Sequence, residues 1–77
     1  MEFLELKTVF DAGGLISAVI CRAPLGVGYI LIVKSKAKKD IIMSSQRDES
    51  PRVFKTVDAA VRNAEKIGFK TMTINLT

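Results

Sequence analysis

Seventy-seven residues, 48% of them apolar, leave room for one domain, residues 1–77, and exclude a chain too polar to fold. One cysteine and no histidine exclude an intrachain disulfide, a histidine-based zinc site and a proton shuttle working near neutral pH; a domain this short buries only roughly 60% of its unfolded surface, so association between copies is the remaining way to stabilise it. The net charge of +4 and the isoelectric point near 9.5 favour anionic partners, nucleic acid first.

Glu2 and Glu5 stand where a secretory signal carries Lys or Arg, and the longest apolar runs, 15–21 and 29–33, fall far short of the ~20 residues that cross a bilayer. A cytoplasmic protein without a membrane partner is expected. Over residues 3–10, Leu4, Leu6, Thr8 and Phe10 share one side and Glu5 and Lys7 the other, which reads as a first strand with one wet face. Asp11 to Gly14 form a turn. A second strand over 15–22 and a third over 27–34 are apolar on both sides, with a break at residues 23–26 that contains Pro24. A polar connection at 35–38 leads to a shorter fourth strand over 39–46, and the charged loop 47–51 leads to residues 52–55, an extended approach to a helix.

The helix spans residues 56–67. Thr56 is a suitable N-cap, Asp58 complements the positive end of the helix dipole, and Val57, Ala60, Val61, Ala64 and Ile67 make one apolar stripe. Gly68 ends the helix and Phe69 folds back on its last turn. From Lys70 the period becomes two, with Met72, Ile74 and Leu76 on one side of a fifth strand. The expected fold is therefore α+β: an antiparallel meander of about four strands, one amphipathic helix on one face, and a C-terminal fifth strand running antiparallel beside the first.

Strands two and three carry a second apolar face that one helix cannot cover. A second copy of the chain is the economical cover, which makes a homodimer the expected state and Ile16, Ile20, Tyr29, Ile30, Leu31 and Ile32 the candidate interface residues. A sheet curled onto itself, with Gly26 and Gly28 permitting the bend, is the alternative.

Lys34, Lys36, Lys38 and Lys39 crowd the connection between strands three and four, and Arg47, Arg52 and Lys55 precede the helix. These residues are candidates for contacts to DNA or RNA phosphates along a stripe at one sheet edge. The plain alternative is that lysines on an edge hairpin prevent sheets from pairing edge to edge. Phe3, Phe10, Phe54 and Phe69 all read as core positions, which argues against a base-stacking platform and leaves backbone recognition. Cys21 has no histidine partner and reads as a small buried hydrophobe, the carboxylates form no shielded pair, and Gly13-Gly14 and Gly26-Val27-Gly28 are turn glycines. The expectation is a non-catalytic binding module without metal or cofactor, either a nucleic-acid-binding accessory protein or a protein-interaction dimer with no nucleic-acid role.

The stretch Ser45-Gln46-Arg47, then Pro51-Arg52-Val53-Phe54-Lys55-Thr56-Val57-Asp58-Ala59-Ala60, and on to Ile67-Gly68-Phe69, resembles small accessory proteins of bacterial plasmids and mobile elements, some of them partition-associated and of the ParC type. The resemblance covers roughly the last third of the chain. It implies a mobile-element setting and a binding role, with no catalytic residues to carry over; the acidic loop at Asp48-Glu49-Ser50 is longer than the turn expected there.

Overall fold

The computed structural model describes residues 2–24, 26–44 and 50–76. Its elements are α1 (Phe3–Asp11), β1 (Leu15–Arg22), β2 (Tyr29–Ser35), β3 (Asp40–Ile42), α2 (Val57–Ile67) and β4 (Thr73–Asn75). The four strands form one sheet in the order β3-β2-β1-β4, antiparallel except for the outer β1–β4 pair, which is parallel.

The mixed α+β content matches the expectation, but the expected first strand is a helix. Over eight residues both periods fit; what separates them is Leu4, which alternation places inside and a helix places in solvent. Leu4 is 63% exposed, while Leu6 is fully buried and Phe3, Val9 and Phe10 pack against the core. The local bonds also favour the helix: the Glu5 carboxylate accepts the Glu2 amide at 3.2 Å, as in a capping box, and the Thr8 hydroxyl donates to the Leu4 carbonyl at 2.9 Å. Lys7 and Asp11 add an i,i+4 ion pair at 3.7 Å.

The place of the last strand is corrected as well. Two hairpins leave β3 running parallel to β1, and a helix that crosses back over the sheet delivers the next strand in the direction of the one before it. β4 therefore lies parallel to β1, with Ile20 opposite Ile74, in place of the antiparallel fifth strand of a meander. The regular part of the fourth expected strand is only Asp40–Ile42; beyond it Ser44 bridges to Pro51, and Phe54 exchanges two backbone hydrogen bonds with Tyr29, at 2.7 and 2.8 Å.

Cross-strand register decides what each face carries. Ala18 stands opposite Val33 and Ile20 opposite Leu31, and these four join Leu6, Met43, Phe54, Ala60, Ala64, Ile67 and Phe69 in the core beneath the helices. α2 begins as its sequence indicates, with the Thr56 hydroxyl accepting the Ala59 amide at 3.1 Å, and stops where the Gly68 and Phe69 amides both donate to the Ala64 carbonyl. α1 packs beside α2, so both helices cover the same face of the sheet. Val19, Cys21, Ile32 and Ile42 face the other way.

Candidate nucleic-acid interface

The basic residues fall into two groups at opposite ends of the β3 edge. β2 separates them; its seven residues at ~3.3 Å each make a span of roughly 20 Å.

At one end is the β2–β3 turn. The Ser35 amide donates to the Lys39 carbonyl and the Lys38 amide to the Ser35 carbonyl, both at 2.9 Å, while the Ser35 hydroxyl accepts the Lys39 amide at 3.3 Å. This tight loop puts Lys38 in the left-handed region at φ 62°, a conformation that usually goes to Gly or Asn. The Lys36 amide donates to the Gly14 carbonyl at 2.9 Å, and the Lys36 ammonium lies over Gly13, beside the negative end of the α1 dipole. Lys36, Lys38 and Lys39 are exposed, and among the described residues none is ion-paired with a carboxylate. Lys34 does not belong with them, because its register with Ser17 and Asp40 turns it to the face away from the helices.

At the other end are Arg52 and Lys55, both exposed. Arg52 is held firmly: its amide donates to the Met43 carbonyl at 2.9 Å and its guanidinium lies 5.1 Å from the centroid of the Phe54 ring. Lys55 immediately precedes the N-cap of α2. Arg47 lies outside the described residues. Lys66, Asn63 and Ser44 gather around Arg52 in a cleft with Phe3 and Met43. The sequence reading missed these partners, although Asn63 and Lys66 at i,i+3 spacing share one flank of α2.

The candidate interface residues divide between the two faces. Ile20 and Leu31 are fully buried under the helices, so neither is available to a partner, and Tyr29 is half-buried against the same core. Ile30 and Ile32 point away from the helices. Ile32 is half-buried, while Ile30 is covered where Ala23, Pro24, Val27, Pro51 and Val53 line an apolar crevice of about 410 Å³. Ile16 is displaced by a bulge between Leu15 and Ser17 and lies exposed beside the groove between β1 and the α2–β4 connection. The helix-free face is thus made of Val19, Cys21, Ile32 and Ile42, with Lys34 and Asp40 as cross-strand neighbours at its end. Cys21 is half-buried on this face, not a core residue.

Among the described residues no three of His, Cys, Asp and Glu gather as a metal would require, and no helix is long and apolar enough to cross a membrane. Comparison with protein-family models, with curated proteins and with solved structures finds no match.

Proposed function

We propose that the protein is a small, non-catalytic binding module that contacts the phosphate backbone of DNA or RNA and works as a homodimer, in the mobile-element setting implied by the resemblance of its last third. The observation that carries this reading is the β2–β3 turn, where Lys36, Lys38 and Lys39 are exposed without carboxylate partners among the described residues. Lys38 occupies a left-handed position that glycine would fill with less strain. Such an outlier supports a role in binding, since protection of a sheet edge requires a charge but no particular turn residue. Each exposed cation that meets a phosphate releases a condensed counterion, so the expected contact is strong at low salt and indifferent to base sequence.

The helix-free face supports the dimer. Ile32 and Val19 form its centre, and Lys34 next to Asp40 lets a two-fold axis bring each copy's lysine to the other's aspartate. In that arrangement Lys34 serves the interface, and Lys36, Lys38 and Lys39 the nucleic acid. The same face favours the second reading, an interaction dimer with no nucleic-acid role.

Fluorescence anisotropy with labelled duplex and single-stranded DNA separates the two. The proposed module binds at low salt, and Lys36→Glu with Lys38→Glu weakens binding while circular dichroism stays unchanged. Absence of binding at low salt leaves the interaction dimer, and loss of binding in Arg52→Ala alone moves the main contact to the start of α2.

A further inference from the structure

A cleft of about 290 Å³ opens between the end of β3 and the flank of α2, lined by Phe3, Met43, Ser44, Arg52, Asn63 and Lys66. We infer that this cleft seats a backbone phosphate of the bound nucleic acid, a site separate from the lysine turn but resting on the nucleic-acid reading above.

Its chemistry is one-sided. Arg52 brings a planar fork of donors, Lys66 an ammonium, Ser44 a hydroxyl and Asn63 an amide, and among the described residues no carboxylate lines the cleft. A phosphodiester presents acceptor oxygens and no donors, so it complements this lining, whereas a metal cation would meet two positive charges. The two cations come from separate elements, and the groups around them are fixed. The Arg52 backbone is tied to Met43 and its guanidinium rests on Phe54, while the Asn63 side-chain amide donates to the Ala59 carbonyl at 3.0 Å and keeps a second N–H available. Phe3 and Met43 supply apolar walls, which exclude water from one side and strengthen charge contacts made there. The distance from the lysine turn, about the length of β2, equals roughly six base-pair steps along the axis of B-form DNA at ~3.4 Å per step, so one duplex reaches both sites.

The test is a pair of ¹H–¹⁵N titrations, one with a duplex of about 12 base pairs and one with inorganic phosphate, on the wild type, Lys66→Gln, Arg52→Gln and Arg52→Lys. The expected result is that the duplex shifts the amides of Ser44, Arg52 and Lys66 and the side-chain amide of Asn63. Lys66→Gln and Arg52→Gln then weaken duplex binding several-fold, each lowering the salt slope by about one, and Arg52→Lys recovers part of the loss. Duplex binding that leaves these four residues unshifted and is insensitive to the variants overturns the cleft while the lysine turn survives. If the duplex fails to bind but phosphate shifts the same residues in the wild type and not in Lys66→Gln, the cleft stands as an anion site and the nucleic-acid reading fails. Shifts with neither probe overturn both. Variants that lose the dispersed wild-type spectrum are replaced by Arg52→Lys and Lys66→Arg, whose own shifts then decide.

Discussion

At the scale of single residues, the chain is most tightly constrained where backbone meets side chain. Gly68 has φ 135°, and a Cβ placed on it would lie 2.3 to 2.9 Å from ring atoms of Phe10, the ring that meets Phe69 edge-on with centroids 4.9 Å apart. Gly28 has φ 82°, and its Cβ would fall 2.4 Å from a Val53 methyl and 2.7 Å from the Phe54 carbonyl oxygen, where residues 53 and 54 cross the β1–β2 turn. Either Gly→Ala change adds left-handed strain of about 1–2 kcal/mol to a contact that must open, so both lower the urea midpoint by more than a surface substitution does. Lys38 is the opposite case. Glycine there relieves about 1–2 kcal/mol of left-handed strain and costs ~0.5–1 kcal/mol of added chain entropy, so Lys38→Gly raises the melting temperature slightly while weakening DNA binding. The helix-stopping role of Gly68 is visible in the sequence; its second role, admitting Phe10, is not, because Phe10 arrives from an element that alternation reads as a strand.

At the scale of elements, legibility followed the number of independent signals. α2 has an N-cap, a charged first turn, an apolar stripe and a glycine stop, and its sequence bounds agree with Val57–Ile67; β1 agrees with Leu15–Arg22. Thr56→Ala removes the bond to the Ala59 amide and is expected to cost ~1 kcal/mol in chemical denaturation. α1 has a short, two-period pattern whose strongest cue, Glu2 paired with Glu5, is an uncommon version of a capping box. Its helical form makes a clear prediction, because a strand would keep Leu4 and Leu6 on one face. Leu6→Ala, at a fully buried site, should cost ~2–5 kcal/mol, whereas Leu4→Lys, at a site 63% exposed, should change stability by no more than ~0.5 kcal/mol. Comparable losses from both would contradict the helix.

At the scale of the whole molecule, taking α1 for a strand also misplaced everything that depends on strand count, including the parallel seat of β4. The two-sided apolar character of β1 and β2 was legible. Which side faces the helices was not, since a one-residue change of register exchanges the faces and only the packed helices settle it. With Leu31 under the helices and Ile32 on the helix-free face, Leu31→Lys should unfold the chain and Ile32→Lys should give a folded monomer. Sedimentation equilibrium at micromolar concentration is expected to report a dimer of the 8.4 kDa wild-type chain, and a clean monomer would favour a sheet that stands without a partner. The phosphate-binding edge is open to a direct measurement, the salt dependence of duplex affinity in the wild type. With such an edge, log K falls linearly with log[salt] at a slope steeper than about −2, the value for two phosphate contacts, and the slope becomes shallower in Lys36→Glu with Lys38→Glu; a flat dependence, or no binding at low salt, would rule the edge out.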